Sequence, residues 1–146
     1  MAFDLLDAVY GCFIGAAVGD ALGAPAEGRS YWRLQEEYGR LEDLVGSALG
    51  NTNGLPGGVT GDTALRQYVA LAIVRKEGRI GPDDLAELWV EKGSSELFGG
   101  NERVVFEKLS WGANPWDSGR GGNPSSAAAA AVVPVGIINA ANPAQA

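Results

Sequence analysis

Hard oxygen donors stand together in the segment Gly58-Val-Thr60-Gly61-Asp62-Thr63, directly before a helical pattern. The Thr60 hydroxyl and the Asp62 carboxylate suit Mg²⁺ better than zinc or copper. Bound Mg²⁺ could orient a water molecule for nucleophilic attack. Both residues are equally suited to capping a helix start, where each would contribute about 0.5–2 kcal/mol without any catalytic role. The segment predicts either a metal site or a well-capped helix.

Two further carboxylates lie in the N-terminal segment GDALGAPAEG. Glu27 follows Pro25 in a predicted loop, where it could act as a general base or bind a metal. The alternative for Glu27 is a solvated loop acid. Asp20, late in the first predicted helix, is expected to be structural and to bond nearby loop amides.

A glycine-rich loop, Ser118-Gly-Arg-Gly-Gly-Asn123, precedes a predicted helix that starts at Pro124, Ser125 and Ser126. Exposed amides in such a loop can hold a diphosphate. A surface loop without a ligand is the alternative. Trp111 and Trp116 could stack on adenine, or they could pack in the core or anchor the loop.

Composition narrows the chemistry. The 146 residues contain no histidine and one cysteine, Cys12, which excludes a Ser-His-Asp triad, a histidine zinc ligand and an internal disulfide. Cys12 is expected to be a small apolar helix residue. The net charge of −7 argues against nucleic acid or an anionic membrane as the main partner.

The N-terminal residues give no sign of export. MAFDLLDAVY carries two aspartates and no basic residue, unlike a signal peptide. No stretch is expected to be long enough to cross a membrane. The expected location is therefore the cytoplasm.

Apolar spacings of three and four residues predict an all-α fold without strands or repeats. Expected helices cover 3–22, a short segment Tyr31–Tyr38, a stretch through Leu65 and Ile73 that closes at Gly78, one opened by Pro82, one capped by Asn101, and an alanine-rich one from Pro124 that Pro134 interrupts. Loops are expected over 46–58 and 111–123. Gly11, Gly15 and Gly19 would let another helix approach the first one closely.

The end of the chain carries a helix-start signal, Asn142 followed by Pro143, three residues before the last one. So short a helix is not stable alone. The sequence therefore suggests a single, truncated domain over residues 1–146, the N-terminal part of a larger all-α bundle.

The segments GDALGAPAEG, GVTGDT and Pro134-Val-Gly136, in this order, resemble the ADP-ribosylglycohydrolase family. That family includes the enzyme that removes ADP-ribose from dinitrogenase reductase, and also a lens crystallin. The resemblance implies a compact helical bundle with two Mg²⁺ ions beside bound ADP-ribose. It implies a hydrolase that cleaves the N- or O-glycosidic bond of ADP-ribosylated proteins or small ADP-ribose or nucleoside adducts.

The resemblance also assigns roles to residues of this chain. These are catalysis for Glu27 and Asp62, metal binding for Thr60 and Asp62, ligand binding for Gly121, Gly122, Asn123, Ser125 and Ser126, and a structural role near the site for Asp20 and Thr63.

The chain departs from the family pattern in three places. Gly61 replaces the first aspartate of the Thr-Asp-Asp-Thr metal motif, Ala131 stands where many members carry arginine, and the second metal motif, Asp-x-Asp-Thr, is not present. The chain by itself is therefore expected to be inactive or nearly so, and a missing C-terminal half is a possible partner. The alternatives are an inactive ADP-ribose-binding protein and a structural, crystallin-like protein.

Overall fold

The computed structural model describes residues 4–46, 54–93, 98–122, 125–140, 142 and 144. Regular structure within these ranges is helical, with no strand, so the predicted all-α class is confirmed. The chain divides into two compact units, residues 1–60 and 61–146.

The first unit begins with α1, Leu5–Gly23. The Asp4 carboxylate accepts a hydrogen bond of 2.9 Å from the Leu6 amide and caps the helix. A single 3₁₀ turn, Ala24–Ala26, follows directly. Helix α2, Tyr31–Tyr38, ends at Gly39, whose φ of 65° favours glycine. Both helices match the predicted positions, except that α1 starts after Asp4.

The predicted apolar face of α1 is not buried. Ala21 is the buried residue of this helix, whereas Leu6 and Tyr10 are 75% and 66% exposed. The reason is that apolar residues occupy the whole circumference of α1, so no single stripe is set apart for packing. An added Cβ at Gly11, Gly15 or Gly19 would meet nothing within 4 Å, so the expected close helix contact is absent from the described part of the chain.

Helix α1 also corrects the expectation about membranes. The segment Leu5–Ala26 has a mean hydropathy of 1.5 and is long and apolar enough to cross a bilayer, so the prediction that no stretch could do so is wrong. A core helix or an N-terminal signal sequence gives the same result by length and composition. Location in the cytoplasm stays a prediction.

The second unit is organised around α3. Helix α3 packs against α4, α7 and α8, while α4 also contacts α5 and α6. Its helices are α3 (Gly61–Lys76), α4 (Pro82–Lys92), α5 (Gly100–Ser110), α6 (Pro115–Ser118), α7 (Ala127–Ala131) and α8 (Val133–Ile138).

The core of this unit lies between α3 and α4. Leu88 is only 1% exposed, and the Trp89 and Phe98 rings meet edge to face with centroids 5.2 Å apart. Such aromatic pairs add stability beyond the area that they bury. The buried cluster consists of Leu65, Tyr68, Ala72, Ala86, Leu88, Trp89, Phe98, Leu109 and Ala127.

Ion pairs fix the two helices at their surface. Lys76 and Asp84 lie 2.7 Å apart, and the Asp84 carboxylate also accepts from the Gly81 amide where α4 begins. Arg75 donates two hydrogen bonds to Glu91 and, as the main cause, lowers the pKa of that carboxyl to about 2. Both pairs are partly exposed, so they add to the α3–α4 contact less than the buried cluster does.

Three helix boundaries differ from the sequence prediction. Helix α5 is capped by the extended residue Gly99, so Asn101 lies inside the first turn instead of capping it. The predicted loop after Trp111 contains α6, because the Asn114 side chain accepts from the Trp116 amide at 3.0 Å. The alanine-rich helix starts at Ala127. The predicted start at Pro143 lies outside the described residues.

The interruption at Pro134 is confirmed. Helix α7 ends at Ala131 and α8 resumes at Val133. Proline has no amide hydrogen, so in a continuous helix the Ala130 carbonyl would have no partner four residues on. The Arg66 Nε donates to this carbonyl instead, at 3.2 Å. An α3 side chain thus satisfies the group that the proline leaves unpaired.

Candidate functional site

Asp20 and Thr60 form the most specific polar contact of the first unit. The Asp20 carboxylate accepts from the Thr60 amide at 2.9 Å through Oδ2 and from the Thr60 hydroxyl at 2.7 Å through Oδ1. Both bonds are partly buried and join residues 40 positions apart. Charge-assisted pairs of this kind are about twice as strong as neutral ones. They fix both the backbone and the side chain of Thr60.

This contact determines how Thr60 presents its oxygen. A hydroxyl that donates its proton to a carboxylate still has acceptor lone pairs on the other side of the oxygen. Such an oxygen can face a cation or an amide. Asp20 therefore holds Thr60 in place by accepting from both its backbone amide and its hydroxyl.

Asp62 and Thr63 stand in the first turn of α3, in the second unit, and both are partly buried. A carboxylate in a first turn interacts favourably with the helix dipole. Gly61 is the first residue of α3 and has no side chain, so this position offers no second carboxylate beside Asp62. The Asp62 position fits a helix-stabilising role as well as a metal-binding one.

The donors for a metal are few. Among the described residues no group of three or more His, Cys, Asp or Glu side chains could hold a metal ion. Mg²⁺ takes about six oxygen ligands and keeps several waters. The described residues alone therefore do not fit a complete site for two Mg²⁺ ions.

Glu27 closes the 3₁₀ turn after α1. Its amide donates to the Ala24 carbonyl at 3.3 Å, and Pro25 before it is fully buried. The backbone is thus anchored while the Glu27 side chain is exposed at the surface of the first unit. Glu27 and Asp62 belong to different units, and the joint catalytic role assigned to them stays a prediction.

The second unit contains an open groove of about 630 Å³ between α3, α4, α5 and α7. Its walls are mostly apolar, with a few polar groups on one side. The apolar lining consists of Leu65, Leu85, Trp89, Val105, Ala127, Ala128 and Ala131, and the polar or glycine lining of Asn101, Glu102, Gly119, Gly122 and Ser125. Such a surface suits a ligand with a large apolar part.

Part of the predicted ligand loop borders this groove. Gly121 has a φ of 79°, which favours glycine, and Gly122 lines the groove. The Ser125 hydroxyl donates to Glu102 at 2.5 Å, which places a carboxylate beside a residue expected to bind diphosphate. That negative charge opposes an anion at Ser125. Ser126 precedes α7 without a side-chain cap, and Asn123 lies outside the described residues.

The two tryptophans of the loop differ. Trp111 is 82% exposed. Trp116 is also exposed, but its indole Nε1 donates to the Asp83 carboxylate at 3.0 Å and ties α6 to α4. Neither packs in the core, and Trp116 anchors the loop.

Arg66 is a candidate that the sequence reasoning missed. It is only 6% exposed, and its Nη1 has no hydrogen-bond partner among the described residues. A signal was available, because Arg66 stands three residues before Val69 and seven before Ile73, both of which are buried. A charged residue at a position of the buried face indicates that the fold or a ligand needs a cation there.

Replacing Asp20 with alanine is expected to lower the free energy of unfolding by about 1.5–3 kcal/mol, because two hydrogen bonds to an ionised group are lost. Urea unfolding measures this change. Asp20→Asn retains one acceptor oxygen, so its free energy of unfolding should lie between those of Asp20→Ala and the wild type. Asp7→Ala, an exposed change on the same helix, should cost about 1 kcal/mol or less. Equal effects at positions 7 and 20 would contradict the Thr60 contact.

Comparison with known proteins gives a consistent result. The model of the family described as ADP-ribosylglycohydrolase matches residues 1–146. A protein of Archaeoglobus fulgidus, described as uncharacterized, is 31% identical over 131 residues, which cover 87% of this chain and 41% of that protein. The chain thus spans about two-fifths of the length of this relative. No solved structure gives a significant match. On the match over its whole length, the chain belongs to the ADP-ribosylglycohydrolase family.

Proposed function

We propose that this chain is part of a Mg²⁺-dependent hydrolase that cleaves the N- or O-glycosidic bond of ADP-ribose adducts, on protein or on small molecules. The family match over residues 1–146 carries the proposal. The match covers 41% of the Archaeoglobus protein. We therefore propose the activity and the substrates for the full-length protein, of which this chain would be one part. A cytoplasmic location is proposed with it.

Residues of this chain would bind the metal and act as the general base. Thr60, held by Asp20, and Asp62 in the first turn of α3 would be this chain's share of the donors for Mg²⁺. Bound Mg²⁺ supplies Lewis acidity and orients a nucleophilic water. The exposed Glu27 carboxylate could accept the proton of that water as a general base. The remaining metal ligands must come from groups other than these.

ADP-ribose binding to the chain, measured by calorimetry with Mg²⁺ and with EDTA, tests the proposal. We expect Mg²⁺ to strengthen binding, and Asp62→Asn to weaken it about tenfold, which corresponds to about 1.4 kcal/mol. Asp7→Asn is the matched control, because Asp7 is an exposed acid in the first turn of α1. Failure of the wild type to bind ADP-ribose in either buffer would contradict the proposal.

A binding protein without catalysis is the second candidate, and Gly61 favours it. This glycine removes one carboxylate from the metal motif at the start of α3. A cleft that holds ADP-ribose would not need that charge. ADP-ribose binding that is the same with Mg²⁺ and with EDTA would identify this second function.

A further inference from the structure

The Arg66 guanidinium is a buried cation without a counterion in the described part of the chain. The side chain is 6% exposed. The ion pairs among the described residues involve other arginines and lysines. Burying a charge that is not paired is costly, so proteins seldom keep one without a use for it.

The structural role of Arg66 explains only part of the guanidinium. Its Nε donates to the Ala130 carbonyl, which Pro134 leaves without a helical partner. A neutral amide donor could do the same. That contact uses neither the positive charge nor the Nη1 hydrogens, and Nη1 is buried with no acceptor among the described residues. These remaining features fit an anion that binds from outside the chain.

We propose that Arg66 binds a phosphate-type oxyanion of the ligand through Nη1, while Nε remains on Ala130. The guanidinium is always charged, and its planar fork matches phosphate oxygens well. Because Nε is held by a backbone carbonyl, the group is oriented before the anion arrives. The proposal rests on the proposed function in one respect, namely that the anion is the diphosphate of an ADP-ribose ligand.

The helix that carries the Ala130 carbonyl has only small side chains. Helix α7 consists of five alanines, Ala127–Ala131. Because all five residues are alanines, α7 itself supplies no cation. Arg66 reaches the same helix from α3 and brings a positive charge to it.

Inorganic pyrophosphate in EDTA is the probe, with binding measured by calorimetry at constant ionic strength. We expect the wild type to bind it and Arg66→Gln to lose about tenfold or more in affinity. Arg66→Lys keeps the charge and should retain part of the affinity. Arg75→Gln is the control, since Arg75 lies on the same helix but is exposed and paired with Glu91.

Stability provides an independent readout. Arg66→Gln keeps an amide donor for Ala130 and removes the unpaired charge, so its melting temperature without pyrophosphate should equal or exceed that of the wild type. A purely structural arginine would give a lower value. A less stable or unfolded Arg66→Gln variant, equal affinity of variant and wild type, or no binding by the wild type would each overturn the proposal. The pyrophosphate titration is carried out in EDTA, so its outcome does not depend on whether the chain binds ADP-ribose with Mg²⁺.

Discussion

The variant Gly61→Asp is expected to bind Mg²⁺ at least about tenfold more tightly than the wild type, a gain of about 1.4 kcal/mol. Gly61 is the first residue of α3 and is not among the residues with positive φ, so aspartate can adopt its conformation. The new carboxylate would stand next to Asp62 and would add a second negatively charged oxygen donor to the first turn of α3. Titration of MgCl₂ by calorimetry measures the change.

A charge-matched variant separates metal binding from a general effect of negative charge. Gln67→Glu adds the same charge at an exposed position of α3 and should leave Mg²⁺ affinity unchanged. Gly61→Asp should also raise the melting temperature slightly, because an acid in the first turn stabilises a helix by about 0.3–1 kcal/mol. A higher melting temperature without tighter Mg²⁺ binding would mean that this segment only caps α3.

Truncation of Leu88 to alanine is expected to lower the free energy of unfolding by about 2–5 kcal/mol, because the change removes buried methyl groups and leaves a cavity. Leu88 is 1% exposed in the cluster that joins α3 to α4. Such a loss is a large share of the about 5–15 kcal/mol that stabilises a typical domain. Denaturant unfolding, followed by circular dichroism, measures it.

An exposed truncation on the neighbouring helix is the comparison. Val74 on α3 is 71% exposed, and Val74→Ala should change stability by about 0.5 kcal/mol or less. Equal losses of stability for Leu88→Ala and Val74→Ala would show that Leu88 is not buried between α3 and α4.

Local signals predicted most of the helices. Regular spacing of Leu65, Tyr68 and Ile73 placed α3, and Pro82 placed the start of α4. These signals work because helix formation, proline geometry and capping depend on residues within a few positions of each other. The cap of α5 was missed because Gly99 has no side chain to make the capping hydrogen bond by which a helix start is recognised in a sequence.

Motif order in the sequence was sufficient to identify the family, which the match over residues 1–146 confirms. The roles of Glu27, Thr60 and Asp62 as individual residues remain predictions. Spacing cannot distinguish a capping acid from a metal ligand, because both uses place the same groups at the same helix end.

The sequence alone thus determined the helical class, the main helix positions and the family. Only the tertiary structure joined Asp20 to Thr60, placed Arg66 on the Ala130 carbonyl and left Leu6 and Tyr10 of α1 exposed. The physical reason is the range of the forces involved. Backbone geometry is set by neighbours along the chain, whereas burial and the pairing of charges depend on which distant segments meet when the chain packs.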